Sequence, residues 1–573
     1  MVLSLPCLWV GWIGDDHFHR LAMTGSSRLP DLPCSPMALF TFADGDPERN
    51  VRLMDLGLWP WWTLKEIHGA FFRPLTALTH WMDYRLWPNR PALMHLQSWL
   101  WFGGCVAAAG LLYRRMLGGT LAAGLAALLF AVDDAHSTPI GFLANRNALL
   151  ALFFGLLAVS AHDRWRRNGW RMGAWLGPTL LGASLLSAEM GVATMGYLFA
   201  HAMFLDPGGR RSRWASLLPY LGVTVLWRMV WTRMGAGGWG MEIYVDPLVE
   251  PWRYVTGLLW RAPVCLLAQW AVPPAELIFL LASELSKRST VLLGAAIFAF
   301  VGVMAVVVTP LLKRDAAARF WALGMLLALL PVCAVFPADR LLMFAGVGAM
   351  GLLAQFLIRV FGGDGALGAM APHYRRAAKR LGVFLVVVHG VLAPLLLPLR
   401  TGMPLGPKSF FDSIHIHTPL DGSVERQSVV IVNSPVAMAA GYLAINRALA
   451  GEPVPAHTRI LAPSWADVTV TRPDAFTLVV RPKGGYLRHP MDQLARGKCH
   501  PLALGERVEL TGFTAQVTAL TDDRRPAEVA FRFDVPLEDA SLRWLHWKDN
   551  AYVPFTPPPI GHTLYLPFTR PRF

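Results

Sequence analysis

Residues 125–154 read LAALLFAVDDAHSTPIGFLANRNALLALFF. Two apolar runs flank a short joint that holds Asp133, Asp134, His136, Asn145, Arg146 and Asn147. Ionisable groups at membrane depth are costly, so a joint of this kind marks either an interfacial helix end or a functional site. Arg146 presents paired donors that match phosphate oxygens; a structural pair with Asp133 or Asp134 is the alternative. Outward from this joint, apolar stretches recur near residues 92–112, 117–132, 143–161, 172–187, 190–205, 214–232, 291–312, 319–336, 341–358 and 381–398. Most approach the ~20 residues that cross a hydrocarbon core, and some are shorter.

The whole chain of 573 residues is 54% hydrophobic and only 16% charged, where soluble globular domains carry about 25% charged residues. A soluble cytoplasmic enzyme is therefore excluded. The net charge of +14 would suit nucleic acid if it formed one basic face. It does not: residues 1–400 carry +12 of it and residues 401–573 only +2. Arg114 and Arg115; Arg164, Arg166, Arg167 and Arg171; Arg210, Arg211 and Arg213; Lys313, Arg314 and Arg319; and Arg359, Arg375, Arg376, Lys379 and Arg380 fall in alternate connections between apolar stretches. Cytoplasmic loops retain Lys and Arg, so these connections are assigned inside and no nucleic-acid partner is expected. The other connections, around 133–142, 187–189, 235–253 and 337–340, contain only Arg253 and Arg340 as Arg or Lys and are assigned outside.

This alternation requires residues 254–285 to cross an even number of times, as a re-entrant or surface-lying pair broken at Pro273 and Pro274 or as two short spans. The start, 1–13, is apolar but too short to span and reads as the end of a first helix; a signal peptide would need a basic leading region that it lacks. Six cysteines show no CxxC pair or regular spacing, which argues against both a disulfide framework and a zinc site. From about Thr401 the pattern changes to period-two runs at 428–432, 467–471, 476–481, 508–520 and 529–535, with one helix near 436–449. A β-rich domain is expected there. His415 and His417 share a strand face but have no third metal ligand in sequence.

The first outward loop opens GDDHFHR, with Asp15, Asp16, His17 and His19. Adjacent carboxylates can accept a proton from a hydroxyl or hold a divalent cation, Mg2+ or Mn2+; a solvated helix end is the plain alternative. FFRPLTALTHWMDYRLWP follows, with Arg73, His80, Asp83 and Arg85 among aromatic rings, after Trp59, Trp61 and Trp62. Aromatic residues favour the headgroup layer, so an interfacial helix is expected; stacking on a sugar is the second reading. Glu189 in LLSAEMG and Arg340 in FPADRLLMFAGVG are isolated charges at outer helix ends. No serine nucleophile elbow, HExxH helix or Walker loop occurs.

Taken in order, the acidic pair, FFRPL, HLQSWLWF, the 125–154 joint, LSAEMG and LLPVCAVFPADRLLMFAGVG resemble the bacterial GT-C-fold membrane glycosyltransferases. The pattern is most similar to the transmembrane tetratricopeptide-repeat O-mannosyltransferases and their relatives, over about residues 14–360. The resemblance implies a GT-C-like α-helical multi-pass membrane domain of about 11 to 13 spans over 1–400, with 14–90 as a first periplasmic loop bearing interfacial helices. A smaller β-rich periplasmic domain follows over 401–573, and the whole would sit in a bacterial inner membrane.

It further implies transfer of a sugar from a polyprenyl-phosphate carrier to a glycan, glycolipid or protein acceptor on the outer face, with membrane lipids as surroundings. Asp15 and Asp16 take the role of base or cation ligand. Arg73, Arg146 and Arg340 match donor-phosphate positions, His136 matches the joint, and Glu189 matches the acidic helix start. His17, Asp83, Asp133 and Asp134 are further site candidates. Ala188 stands where the family has lysine, Asp339 where it has glutamate and Met343 near its tyrosine, and the repeats are absent. A lipid-linked saccharide transporter or a non-catalytic envelope assembly protein is the alternative.

Overall fold

The computed structural model describes residues 1–573 except 30, 31, 33, 363–370, 407, 409–417, 419 and 570–573; His415 and His417 lie outside the described residues. The chain falls into two units. The first gathers Met1–Trp12, Phe72–Met234 and Asp246–Pro404, and the second Ile13–Phe71, Gly235–Val245 and Leu405–Phe573. Two segments that the sequence pattern leaves with the apolar region are thus grouped with the C-terminal one.

The first unit is helical, and each of the ten apolar stretches falls on helix. Helix starts follow local chemistry: the side chains of Thr120, Ser286 and Asp315 each accept a backbone N–H of the first turn of the helix they precede. Gly169 ends Arg146–Asn168 in a left-handed conformation, φ +70°. Among the described residues four helices are long and apolar enough to cross a membrane by length and composition: Leu143–Asn168, Lys287–Arg314, Met343–Phe361 and Pro372–Gly402. Gly173–Ser187, Ala193–Phe204 and Leu218–Arg233 are shorter, at 15, 12 and 16 residues. The start of the chain, Val2–Trp9, is a 3-10 helix. Between 254 and 285 the helix Pro251–Trp270 stops and Ala275–Glu284 begins, with the break at 271–274 as the two prolines require. Inside Pro372–Gly402 a π turn, Val388–Leu392, directly precedes the segment led by Pro394, which has no N–H to give.

Three of the connections expected outside share one local form. In each, a residue in extended conformation is followed by a 3-10 turn whose first residue is a carboxylate. Asp133 (ψ 119°) precedes Asp134–His136, Ala188 (ψ 154°) precedes Glu189–Val192, and Ala338 (ψ 141°) precedes Asp339–Leu341. An acidic side chain at the first turn of a helix interacts favourably with the exposed N–H groups there. This geometry places Asp134, Glu189 and Asp339 in equivalent local positions.

The second unit is built on three sheets. β1 (Thr41–Asp44), β2 (His68–Ala70) and β3 (Gly237–Trp239) form a small antiparallel sheet in that order. The next strands are β4 (Ser428–Ile431), β5 (His457–Ile460), β6 (Val468–Thr471), β7 (Thr477–Pro482), β8 (Arg507–Leu510), β9 (Phe513–Leu520), β10 (Pro526–Phe533), β11 (Leu542–Lys548), β12 (Ala551–Pro554) and β13 (Thr563–Leu566). They make an antiparallel sheet ordered β13-β6-β7-β10-β9-β8 and a mixed sheet ordered β12-β11-β4-β5. The run expected at 508–520 is two strands, because Gly512 at φ +82° turns the chain between β8 and β9. β4 and β5 are parallel, joined through the helices Ala437–Ala440 and Tyr442–Ala450, a crossover that alternation alone does not encode.

The interfacial placement of Trp59, Trp61 and Trp62 is corrected here. All three are buried, and Trp61 and Trp62 pack edge-on against each other and against Tyr486, with Phe531 beside Trp61. They are core anchors of the second unit, where large rings bury the most area per residue. The helix Pro74–Leu86, by contrast, keeps Leu78, Trp81, Met82 and Leu86 exposed along one face.

Asp492 lies in the same core. Its Oδ1 accepts the backbone N–H of Ser464 at 3.1 Å and the Ser464 hydroxyl at 2.8 Å, while its buried Oδ2 has no hydrogen-bond partner among the described residues. Burial therefore pushes this carboxyl up to about 7, against the two Ser464 donors. In the unfolded chain the group ionises near its ordinary 3.8, so the folded state holds the extra proton between those values. Stability is greatest below pH ~4 on this account and falls, by an amount on the order of 4 kcal/mol, as pH rises to ~7. Asp492→Asn is expected to remove this part of the slope, so melting temperatures of variant and wild type should diverge from pH 4 to pH 7, with the variant the less pH-dependent.

Candidate functional site

The carboxylates of the first and third joints meet at one cation, Arg400, at the end of the helix Ala393–Gly402. Its guanidinium stands 2.5 Å from Asp134, 2.8 Å from Asp339 and 3.4 Å from Glu276. The Asp339 carboxylate also accepts the N–H of Ala275 at 2.8 Å, and Glu276 accepts the N–H of Asp339 at 2.8 Å. Three carboxyl groups thus share one guanidinium. Asp133 points the other way: one oxygen accepts the N–H of Ala135 and the other accepts Gln269 Nε2 at 3.1 Å.

A small cavity borders this cluster, lined among others by Asp133, Asp134, Gln269, Asp339 and His389. His389 sits in the π turn, a helix irregularity that often marks functional sites. Next to the cavity the bare Cα of Gly346 leaves a space. A Cβ built there would stand 3.5 Å from Gln269 Oε1, 3.5 Å from His136 Nε2 and 3.7 Å from Asp133 Oδ2. His136 is itself buried against the ring of Phe130, 4.5 Å between centroids, with Phe102 at 5.8 Å.

The second joint forms a separate pair. Arg73 donates through Nε to Glu189 at 2.8 Å, and the Trp231 indole donates to the other Glu189 oxygen at 3.3 Å. Two residues singled out from different motifs, FFRPL and LSAEMG, thus satisfy each other.

Arg146 is wholly buried. It stands 2.5 Å from Asp83, donates to Ser98 Oγ at 2.9 Å and to the carbonyl of Met94 at 2.8 Å, and also bonds the Gln97 side chain. Neither Asp133 nor Asp134 is its partner, so the structural pair anticipated from sequence exists with a different acid. The phosphate-clamp expectation for Arg146 is corrected on the same ground: its donors are spent inside the helix packing and no face of it is open. Asp83, also 0% exposed, is the counterion.

Arg340 differs from the other two arginines. It follows Asp339 on the third joint, is half-buried, and lies 5.7 Å from the Phe336 ring centroid. No carboxylate is within ion-pair distance of it among the described residues.

In the second unit, Asp15 and Asp16 open the helix Asp15–Thr24. Asp16, only 1% exposed, accepts the N–H of Ile13 at 3.2 Å. Asp15 is half-buried and accepts the hydroxyl of Tyr442 at 2.5 Å. Burial, with the Asp15 charge beside it, pushes the Tyr442 phenol well above its ordinary value, so it stays a donor. His17 lies 6.4 Å from the Tyr442 ring, and His19 is buried against Phe40.

Sequence reasoning missed Arg400, Glu276, Gln269, His389 and Tyr442. Arg400 was visible as a lone charge just beyond the stretch 381–398, and Glu276 as the acid after the Pro273–Pro274 break. No local pattern joins them, since their partners lie far away in sequence, 63 residues between Glu276 and Asp339 and 427 between Tyr442 and Asp15.

No family model matches the chain and no curated protein matches it by sequence. Among solved structures it is similar to the archaeal oligosaccharyltransferase AglB from Archaeoglobus fulgidus, in complex with an inhibitory peptide and a dolichol-phosphate. That match has 13% identity and a TM-score of 0.38, and covers 80% of this chain and 63% of that one. It is also similar to ArnT from Cupriavidus metallidurans, bound to undecaprenyl phosphate (13% identity, TM-score 0.33, 73% of this chain and 85% of that chain) and in the apo state (13%, 0.33, 72% and 80%). The chain spans less than two thirds of the AglB length. These overlaps are partial, and the functional reading is carried by the chain's own residues.

Removing one partner of a buried ion pair leaves an uncompensated charge and costs about 3–5 kcal/mol. Arg146→Met is accordingly expected to lower the thermal stability of the detergent-solubilised chain sharply, and Arg146→Met with Asp83→Leu to recover most of the loss. Equal melting of the single and double variants would show that the pair does not hold these helices.

Proposed function

We propose that the chain is a membrane glycosyltransferase that moves a sugar from a polyprenyl-phosphate carrier to an acceptor hydroxyl on the outer face. The observation that carries this reading is Arg340. The other conspicuous cations of the joints, Arg73, Arg146 and Arg400, each face carboxylates, whereas Arg340 stands half-buried with none within ion-pair distance among the described residues. A guanidinium held in this way suits a phosphate oxygen. The carrier proposed, a polyprenyl phosphate, is of the kind named in the AglB and ArnT structures, a dolichol-phosphate and undecaprenyl phosphate. A hexose donor related to that of the O-mannosyltransferases, a bacterial inner-membrane location and a periplasmic active face follow the sequence resemblance.

The acceptor oxygen attacks the anomeric carbon, the bond from that carbon to the phosphate oxygen breaks, and the acceptor proton passes to a carboxylate. Of the acidic pair, Asp15 is the more exposed and is assigned as base, with Tyr442 fixing its orientation; Asp16 holds the helix start through the Ile13 N–H. Charge accumulates on the departing phosphate, so preformed donors such as Arg340 lower the barrier. Phosphate leaves readily without a general acid, and a single displacement inverts the anomeric centre. In the alternative in which the acidic pair binds a divalent cation instead of taking the proton, Asp15 and Asp16 would hold Mg2+ or Mn2+, which would add positive charge for the phosphate. Arg73 and Glu189 then act as a unit that shapes the joint.

Losing one transition-state donor of this kind costs about 100- to 1,000-fold in rate. In membranes supplied with labelled polyprenyl-phosphate sugar, Arg340→Ala is expected to lose transfer by roughly that factor, with Arg340→Lys retaining part. Asp15→Asn is expected to abolish transfer while leaving the melting temperature near that of the wild type. Undiminished transfer in both Arg340→Ala and Asp15→Asn would sink the reading, and movement of the labelled lipid across the bilayer without transfer would replace it with a transporter.

A further inference from the structure

The first unit contains a second cluster of chemically competent side chains, far from the joints. His162 lies sixteen residues after Arg146 on the same helix, about 24 Å along its axis at the α-helical rise. His201 stands near the end of the helix Ala193–Phe204, and Asp206 follows where the N–H groups of Leu205 and Asp206 both bond to the His201 carbonyl, at 2.8 and 3.0 Å. That tight helix end turns the Asp206 side chain back toward the imidazoles. One ligand atom from each of His162, His201 and Asp206 lies within 4.8 Å of the others.

We propose that His162, His201 and Asp206 form a binding site for a divalent transition-metal ion of the zinc class, which ties these helices together at this end of the first unit. This inference is independent of the glycosyltransferase reading.

Both imidazoles are fully buried, and each has one nitrogen held and the other without a partner. His162 Nδ1 lies 3.2 Å from the Tyr220 hydroxyl and His201 Nε2 lies 3.0 Å from Asp163 Oδ1, while His162 Nε2 and His201 Nδ1 are buried with no hydrogen-bond partner among the described residues. Metal-ligating histidines have this form: the second nitrogen is fixed by a carboxylate or another polar group, which sets the tautomer and frees the first for the ion. Two buried imidazole nitrogens left unpaired would otherwise cost the free energy of unmade hydrogen bonds.

The carboxylates are positioned in the same manner. Asp163 accepts from Arg115 Nε at 2.8 Å as well as facing His201. Asp206 accepts from Arg166 at 2.7 and 3.2 Å and from the N–H of Gly208 at 2.7 Å. Each carboxylate oxygen has two lone pairs, so Asp206 can ligate while keeping these bonds. Arg115 and Arg166 offset both acids, with Arg167 also 3.4 Å from Asp163. The donor set presented inward is thus two imidazole nitrogens and one carboxylate. Such a set suits Zn2+, with a fourth position for water, and disfavours Mg2+ and Ca2+, which prefer all-oxygen shells.

The test uses the full-length chain purified in detergent with any affinity tag removed. After stripping by chelator and titration with Zn2+, elemental analysis is expected to give about one zinc per chain. Co2+ in its place should produce the visible absorption of a nitrogen- and oxygen-ligated site. X-ray absorption of the zinc-loaded wild type should show two imidazole ligands, a readout that requires no variant to fold. His162→Gln and His201→Gln should each lose the metal, and Tyr220→Phe should keep it with affinity weakened by about 10- to 100-fold. Wild type that takes up no stoichiometric metal, or variants at His162 and His201 that bind it undiminished, would overturn the proposal.

Discussion

The buried pair of Arg146 and Asp83 is the constraint on which the helical unit depends. A guanidinium and a carboxylate at 0% exposure are tolerable only when their remaining donors and acceptors are satisfied. Ser98, Gln97, Met94 and Trp87 supply the partners. Asp83 lies in the helix Pro74–Leu86, which Trp87 caps, and Met94, Gln97 and Ser98 lie in Pro91–Leu117, so a single charge at the start of Arg146–Asn168 fixes three helix ends together. Gln97 and Ser98, polar residues within Pro91–Leu117, both bond to the Arg146 guanidinium.

With that end fixed, the repeated turn form of the joints acquires its meaning. An extended residue and a 3-10 turn present a carboxylate at each of three helix starts, and the fold decides what each one faces. Glu189 meets Arg73, while Asp134 and Asp339 converge on Arg400 with Glu276. The same local chemistry therefore serves two different pairings. Among the described residues, Arg340 has no carboxylate within ion-pair distance.

Much of this architecture is legible in the sequence for simple reasons. Hydropathy and the distribution of Lys and Arg are properties of single residues and short windows, so the ten apolar stretches fall on helices and the break at Pro273 and Pro274 lies where proline removes backbone donors. Period-two alternation likewise marks most strands of the C-terminal region. What alternation cannot encode is partner choice, so the parallel pairing of β4 with β5 and with β11, and the turn at Gly512, come as additions. Trp59, Trp61 and Trp62 show the converse failure: aromatic residues suit both a headgroup layer and a protein core, and composition does not distinguish them.

The sequence by itself determined that this is an apolar, helix-rich chain with its positive charge in alternate loops, a β-rich C-terminal region and a small set of polar residues at helix joints. Each of those conclusions rests on interactions with solvent or membrane that a residue makes irrespective of its distant neighbours. Only the tertiary structure decided that Arg146 belongs to Asp83, that Arg400 collects the acids of two joints, and that His162, His201 and Asp206 share one small volume. Ion pairing and ligand geometry act over a few ångströms, and residues far apart in the chain come that close only when the helices pack.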